Sequence, residues 1–227
     1  VELYADDDLI AIDKPAGLPT TVGRAPGASV AAALLDRYPG MAAFGDARHA
    51  GLVHRLDTGT SGLLLAARHA AAHARLRAAF AGKQVEKTYL AVVGGHVADA
   101  TVVTTPLDRH PRSRRRMVVA RADRGWPART EIMPLASDGT LSVVALRMRT
   151  GVTHQIRVHL ASIGHAVLGD ALYATNGPDV GSPRPAWHYL HARAVTFDTP
   201  DLPTGIVTPF PAHWRPLFAT RGWDPIA

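Results

Sequence analysis

The order of strand-like and helix-like segments restricts the folds open to this chain more than any other feature of its sequence. Four short runs have the apolar or alternating character of strands: residues 9–13, 62–67, 85–95 and 140–150. Three segments have helical composition or spacing: residues 28–40, 69–81 and 153–164. The two kinds are interspersed without a regular βα repeat, and no break in composition divides the 227 residues. This order favours a single α+β domain over a doubly wound parallel sheet.

A polar, glycine-containing stretch leads into the second strand-like run. In "LVHRLDTGTSGLLL" (52–65), Asp57 lies between Arg55 and a Thr-Gly-Thr-Ser-Gly that ends at Gly62. This composition predicts a loop, and the nearby Arg55 would favour the ionised form of Asp57. A carboxylate held in this way can act as a nucleophile or as a general base. The alternative is an ordinary surface ion pair in a turn, with His54 as a polar flank.

The segment "TGVTHQIRVHLASIGHAVLGDALY" (150–173) contains the third helical pattern. On a helix that starts near Thr153, His154 and Arg157 lie three residues apart, opposite most of an apolar stripe. The arginine is then either solvated on the polar face of an amphipathic helix or directed across the molecule to orient Asp57. Spacing alone leaves both interpretations open.

The strand-like segment "EKTYLAVV" (86–93) carries a tyrosine with two possible roles. In a strand, Lys87 and Tyr89 share one face. A tyrosine in a cleft offers a flat ring for stacking on a base and a phenol for acid–base chemistry. The alternative is a core tyrosine whose hydroxyl is hydrogen-bonded inside the protein.

Charge and composition narrow the class of function. Lysine and arginine total 25 against 19 aspartate and glutamate, and the net charge of +6 favours a polyanionic partner such as nucleic acid. The chain has no cysteine, which excludes disulfides, thiol nucleophiles and cysteine-based zinc sites and fits a reducing, cytoplasmic location. The twelve histidines show no zinc-binding spacing, and no apolar run reaches the length of a membrane span. We therefore expect no metal site and no membrane association.

Five segments together resemble the successive signature segments of the RluA-type pseudouridine synthases. They are "DDDLIAIDKPAGLPT", "GLVHRLDTGTSGLLLAAR", "EKTYLAVV", "RTGVTHQIRVHLASIGHAVLGDALY" and "LHARAVTF", in this order between residues 6 and about 198. The resemblance implies isomerisation of specific RNA uridines to pseudouridine by one catalytic aspartate, without metal or cofactor. It also implies a mixed, largely antiparallel central sheet flanked by helices and loops, with an RNA cleft across its middle.

The resemblance assigns catalytic roles to three residues. Asp57 occupies the position of the family's nucleophile, and Arg157 matches the arginine that pairs with it. Tyr89 matches the tyrosine that stacks on the target base. A non-catalytic RNA-binding or RNA-folding module on the same scaffold is the alternative function, and the loss of one of these three residues would mark it. All three are present.

The resemblance also suggests residues that bind the substrate. Arg55 matches the residue that enters the RNA stack where the flipped uridine leaves it. Leu190 corresponds to an aliphatic residue lining the base pocket. His54 and Thr60, beside these positions on the Asp57 stretch, are further candidates for substrate contact.

A basic stretch, "HPRSRRRMVVARADRGWPAR" (110–129), holds seven arginines and one tryptophan. We expect a hairpin that grips RNA phosphates through Arg114, Arg115 and Arg116, with a solvated basic loop as the alternative. Because the chain starts within a few residues of the first strand, we expect residues 1–227 to form one catalytic domain without a separate N-terminal RNA-binding module. Ribosomal and transfer RNA both remain open as substrates.

Overall fold

The structure is a computed structural model of the chain. It describes residues 1–23, 27–44, 48–121, 124–174, 186–199 and 202–225. The backbone divides into two compact units. Unit 1 comprises Val1–Glu86 and His191–Pro209, and unit 2 comprises Lys87–Leu190 and Phe210–Ala227. Both units are built from strands and helices, so the predicted α+β class is confirmed.

Unit 1 contains a mixed sheet with two helices. Its elements are β1 (Glu2–Ala5), β2 (Leu9–Lys14), α1 (Val30–Arg37), a 3-10 helix (Pro39–Ala43), β3 (Ser61–Ala67), α2 (Ala70–Ala81), β10 (Leu190–Phe197, whose first residue is assigned to unit 2) and β11 (Gly205–Val207). The strand order is β1-β2-β3-β10-β11, and every neighbouring pair is antiparallel except β3 and β10. All seven residues of β3 are buried, as its continuous apolar run predicts.

Unit 2 is antiparallel throughout its sheets. Its elements are β4 (Val85–Gly94, whose first two residues are assigned to unit 1), β5 (Thr101–Val103), β6 (Leu107–Arg109), β7 (Met117–Val119), β8 (Thr130–Ser137), β9 (Leu141–Met148), α3 (Gln155–Ser162), a 3-10 helix (Ala212–Trp214) and α4 (Arg215–Arg221). The order β4-β9-β8-β5 forms one sheet, and β6 pairs with β7 in a separate hairpin. The predicted mixed, largely antiparallel sheet is thus confirmed.

The C-terminal residues help to close the core of unit 2. Trp214 and Phe218 are 0% and 1% exposed, and they pack against apolar side chains of β4 and β9. Phe210 lies edge-on to both rings, at centroid distances of 6.0 and 4.8 Å. Such aromatic groups contribute a large buried area from few residues, which suits a short terminal segment.

The sequence located the seven predicted segments to within a few residues. Ser29 caps α1, because its hydroxyl accepts the N–H of Ala32 at 3.1 Å. That residues 1–227 form one catalytic domain stays a prediction. Within the described part of the chain, no helix is long and apolar enough to cross a membrane.

Gly62 is the glycine on which the parallel pairing of β3 and β10 depends. It lies opposite Ala192, and its φ is +104°. A Cβ at this position would lie 2.2 Å from the carbonyl oxygen of Ala192. The two strands can therefore approach each other only if residue 62 has no side chain.

We predict that Gly62→Ala lowers the free energy of unfolding by ~3 kcal/mol or more, because backbone strain and a main-chain clash add together. Gly139→Ala is the matched control. Gly139 has a φ of +86°, but a Cβ there would meet no atom of the described residues within 4 Å. The free energy of unfolding of Gly139→Ala should fall by only about 1–2 kcal/mol. Equal losses in urea unfolding would show that the close approach of β10 is unimportant.

Candidate active site

The loop that carries Asp57 presents its side chains in two directions. Leu56 and Thr60 are buried, whereas Arg55 is exposed and Asp57 is partly exposed. The N–H of Thr60 donates to the carbonyl oxygen of Asp57 at 3.0 Å, which closes a tight turn. The expected loop is confirmed, and Asp57 is partly exposed on it.

A single threonine hydroxyl fixes the residue before Asp57. The Oγ1 of Thr20 donates to the carbonyl oxygen of Leu56 at 2.7 Å and accepts the N–H of Leu56 at 3.1 Å. Thr20 is only 4% exposed, so water has little access to compete for these bonds. Both backbone polar groups of Leu56 are therefore held by the scaffold rather than by solvent.

Lys14 fixes the residue after Asp57. Its ammonium donates to the carbonyl oxygens of Pro15, Leu18 and Thr58 at 2.9, 2.8 and 3.2 Å, and the side chain is fully buried. Burial lowers the pKa of Lys14 to about 8, although the negative charges of Asp57 and Asp13 act in the opposite direction. The lysine therefore contributes three hydrogen bonds and a positive charge near the candidate carboxylate. No local pattern in "DDDLIAIDKPAGLPT" singles out Lys14.

His54 supports the start of the same loop. Its Nε2 accepts the N–H of Leu65 at 3.0 Å, so that nitrogen carries no proton. Its ring stacks on Phe80 with a centroid distance of 4.9 Å and an interplanar angle of 18°. These contacts tie the loop to β3 and α2. The substrate contacts expected of His54 and Thr60 stay predictions.

In unit 2, the polar side chains of "THQIRVHL" make specific contacts inside the protein. Gln155 donates to the carbonyl oxygen of Arg129 and to the hydroxyl of Thr130, each at 3.0 Å. His159 is fully buried, and burial lowers its pKa despite the backbone bond to Thr105. Its Nε2 lies 2.9 Å from the carbonyl oxygen of Thr105, so this nitrogen donates. The helix is thereby fixed against β8.

Arg157 forms a bidentate ion pair with Asp170. Its Nε lies 2.6 Å from Oδ2 and its Nη2 lies 2.8 Å from Oδ1, with side-chain exposures of 7% for Arg157 and 0% for Asp170. Burial raises the pKa of Asp170, but the bonds and charge of Arg157 and the N–H of Leu172 outweigh it and lower the pKa. The interpretation of Arg157 as a solvated surface arginine is therefore wrong. Asp170 was missed because its spacing of 13 residues from Arg157 matches no local pattern.

Tyr173 joins α3 to the β6–β7 hairpin. Its hydroxyl accepts the N–H of Met117 at 2.8 Å and lies 2.7 Å from Nδ1 of His154. The guanidinium groups of Arg157 and Arg116 lie 5.1 and 5.5 Å from the centroid of its ring. Tyr173 was not singled out in the sequence, since a tyrosine at the end of "GDALY" shows no periodicity that would identify its partners.

The first part of the basic stretch lies in a hairpin of β6 and β7, while residues 122–123 lie outside the described residues. The arginines of this hairpin are not equivalent. Arg114 and Arg115 are exposed in the turn between β6 and β7. Arg116 is partly buried against Tyr173, and its Nε makes no hydrogen bond within the described residues. Phosphate binding by the three arginines stays a prediction.

The remaining predicted residues lie on strands. Tyr89 and Lys87 share one face of β4, as expected, and are only 6% and 7% exposed. Burial lowers the pKa of Lys87 to about 8, and its ammonium donates to the carbonyl oxygen of Thr150 at 2.6 Å. Leu190, the first residue of β10, is 4% exposed.

The candidate residues form one group in each unit. Unit 1 brings together His54, Arg55, Asp57 and Thr60 on one loop, and unit 2 holds Tyr89, Arg114, Arg115, Arg116, Arg157 and Leu190. The pairing of Asp57 with Arg157 stays a prediction. Among the described residues, no group of three or more histidine, aspartate or glutamate side chains could hold a metal ion.

Comparison with known proteins places these features in a family. A family profile described as RNA pseudouridylate synthase matches residues 8–162. A protein of Nitrosomonas europaea named ribosomal large subunit pseudouridine synthase D is 40% identical over 82% of this chain and 55% of its own length. A protein of the same name from Xylella fastidiosa is 38% identical over 98% of this chain and 69% of its own. A relative from Chloroflexus aurantiacus, named as an uncharacterized RNA pseudouridine synthase, is 37% identical over 91% of this chain and 61% of its own.

Solved structures agree with the fold. Human RNA pseudouridylate synthase domain containing 4 has a TM-score of 0.76 at 26% identity and covers 96% of this chain and 91% of that one. Human RNA pseudouridylate synthase domain containing 1 has a TM-score of 0.75 at 24% identity and covers 100% of this chain and 96% of that one. At this identity it supports the fold alone. The chain spans roughly half to two thirds of the length of the curated relatives above. With the family profile matched over most of its length, the chain belongs to the RNA pseudouridylate synthase family.

Proposed function

We propose that this protein isomerises uridine to pseudouridine in RNA of the large ribosomal subunit, with Asp57 as the catalytic carboxylate. The observation that carries this proposal is the loop of Asp57. Hydrogen bonds from Thr20 and Lys14 fix the residues on either side, while the aspartate itself is partly exposed. A rigid backbone that presents one accessible carboxylate suits a catalytic group better than an incidental surface ion pair.

The reaction breaks the bond between N1 of the base and C1′ of the sugar and forms a bond between C5 and C1′. A proton leaves C5 and, in the product, N1 carries one, so the atoms balance without any co-reactant. Asp57 attacks C1′ or C6, or assists elimination to a glycal, and these routes remain alternatives. The target base must first leave the RNA stack.

Other residues would complete the site in defined roles. Arg157, oriented by Asp170, would hold Asp57 ionised and directed at the nucleoside. Tyr89 would stack on the flipped base and assist loss of the C5 proton, and Leu190 would line the base pocket. Arg55, exposed two residues before Asp57, would fill the gap left by the uridine.

The choice of ribosomal RNA rests on the names of the two curated relatives with the highest identities quoted above. The exposed arginines of the β6–β7 hairpin would bind its phosphates. Transfer RNA is the other substrate class that the sequence left open. An enzyme acting on ribosomal RNA and free of cysteine would work in the cytoplasm.

We predict that Asp57→Asn abolishes pseudouridine formation and leaves folding and RNA binding nearly intact. The amide keeps the size of the side chain but can act neither as nucleophile nor as base. Purified protein would be incubated with large-subunit RNA and with transfer RNA, and pseudouridine would be mapped chemically. Asp99→Asn, which removes an exposed carboxylate elsewhere, is the control and should stay active. Activity of Asp57→Asn within about tenfold of the parent would rule out the catalytic role, since loss of a nucleophile costs far more.

The two groups of arginines should fail in different ways. Replacing Arg114 and Arg115 by Ala should weaken RNA binding and make it less dependent on salt. The slope of log K against the logarithm of the salt concentration should become less negative by about 0.9 for each duplex phosphate that is no longer neutralised. The single-turnover rate at saturating enzyme should be largely kept. Arg37→Ala/Arg215→Ala removes the same charge from exposed positions outside the hairpin and should bind as the parent does. A parental salt slope in the hairpin variant would contradict phosphate binding there.

Arg157→Lys should show the opposite behaviour, with near-parental binding and little turnover. Lysine keeps the positive charge but cannot reproduce the bidentate bond to Asp170. Lysine is preferable to alanine here, because removing one partner of a buried ion pair costs roughly 3–5 kcal/mol of stability. Saturating single-turnover rates and filter binding would be compared on variants whose urea unfolding is parental. A parental rate would exclude a role for the bidentate geometry.

Lys14→Met should destabilise the fold, because three buried carbonyl oxygens lose their donor at roughly 1–3 kcal/mol each. The folded-state pKa of about 8 lies below the ordinary 10.5, so the unfolded chain binds more protons between these values. The stability of the parent relative to the variant should therefore be constant below that window and rise through it. Urea unfolding near pH 7 and near pH 9.5 would test this, with exposed Lys83→Met as the control. If the stability of the parent relative to Lys14→Met decreased between pH 7 and pH 9.5, the lowered pKa of Lys14 would be contradicted.

A further inference from the structure

Trp126 is an exposed tryptophan held on a rigid backbone. Its side chain is 47% exposed, although its main chain is bonded in both directions to β6. The N–H of Trp126 donates to the carbonyl oxygen of Leu107 at 2.7 Å, and the N–H of Leu107 donates back at 3.0 Å. A large aromatic ring fixed in this way loses little further backbone entropy when a ligand binds to it.

The residue before Trp126 confirms how closely this turn is packed. Gly125 has a φ of +87°, and a Cβ there would lie 2.6 Å from both the carbonyl oxygen of Leu107 and the Cβ of Ala120. Only glycine fits without a shift of the backbone. The position of Trp126 beside the hairpin is therefore set by the fold and not by contacts of its own ring.

One guanidinium lies over the ring, and more arginines lie near it in the sequence. The guanidinium of Arg109 lies 5.9 Å from its centroid, and both side chains are exposed. Further exposed arginines flank this position in the sequence, namely Arg112, Arg114, Arg115, Arg121, Arg124 and Arg129. An aromatic face among arginines is suited to a ligand that combines flat rings with negative charges.

We propose that Trp126 and Arg109 form a stacking site for an unpaired nucleobase of the RNA substrate, adjacent to the phosphates held by the hairpin. This site would be separate from the pocket of the isomerised uridine and would favour RNA with a single-stranded segment beside the target. The inference rests on the proposed function. An acidic protein segment would share the charge complementarity but would lack the rings that the indole can stack on.

The experiment measures binding of two short unstructured RNA oligonucleotides of equal length, one normal and one in which the bases are replaced by abasic sites. Both carry the same phosphates, so their difference in affinity reports contacts to the bases, and the Trp126 variants identify the part that is due to the indole. Trp126→Ala should reduce the parent's preference for the normal oligonucleotide by about tenfold, since one stacked base is worth roughly 1–3 kcal/mol. Trp126→Phe, which keeps a ring, should retain part of the preference. Trp187→Ala removes a tryptophan of equal exposure, 46%, and should leave the preference unchanged.

An unchanged preference in Trp126→Ala, or an equal loss in Trp187→Ala, would overturn the proposal. So would a glutamate-rich peptide that competes with the normal oligonucleotide in the parent but not in Trp126→Ala, because the ring would then serve a protein partner. The binding assay requires no turnover. Parental stacking preference without pseudouridine formation would count against the proposed reaction alone, and turnover without any preference would count against the stacking site alone.

Discussion

The buried ammonium of Lys14 is the interaction on which the candidate site of unit 1 depends most. An isolated charge in the protein interior is costly, and here three carbonyl oxygens offset part of the cost, since burial still lowers the pKa of Lys14 to about 8. One of those oxygens belongs to Thr58, the residue directly after Asp57. The hydrogen bonds that the buried Lys14 requires are therefore also bonds that fix the loop. The position of the Asp57 carboxylate and the stability of the end of β2 therefore cannot be changed independently.

Unit 2 solves a similar problem with an ion pair. Burial disfavours the ionised form of Asp170, and the two bonds from Arg157 are the main interactions that outweigh burial, while Asp170 in turn fixes the plane of the guanidinium. Buried ion pairs contribute little net stability, but a bidentate arginine has a defined plane. Its value here is geometric. The pair gives a long, flexible side chain one fixed orientation.

The sequence predicted what depends on local pattern. The segments that became β2, β3, β4, β9, α1, α2 and α3 were found because alternation, apolar runs and helical spacing are local signals. The environment of Arg157 was not found, since helical spacing describes the face of a helix and says nothing of a carboxylate 13 residues later. Lys14 was missed because its partners are backbone carbonyl groups, which carry no sequence signal. Tyr173 was missed because its partners, the N–H of Met117 and the side chains of His154 and two arginines, follow no local spacing. The roles of Asp57 and Arg157 came from family resemblance.

The hairpin shows why a run of like residues should not be treated as one functional unit. Arg114, Arg115 and Arg116 are consecutive. The first two are exposed in the turn that precedes β7, whereas the third lies over the ring of Tyr173. An exposed arginine can release counterions from a phosphate. Arg116 is only partly exposed, and its guanidinium packs on the ring of Tyr173, which also contacts the guanidinium of Arg157. We therefore expect the loss of Arg116 to affect the packing of the hairpin more than the loss of its two exposed neighbours would.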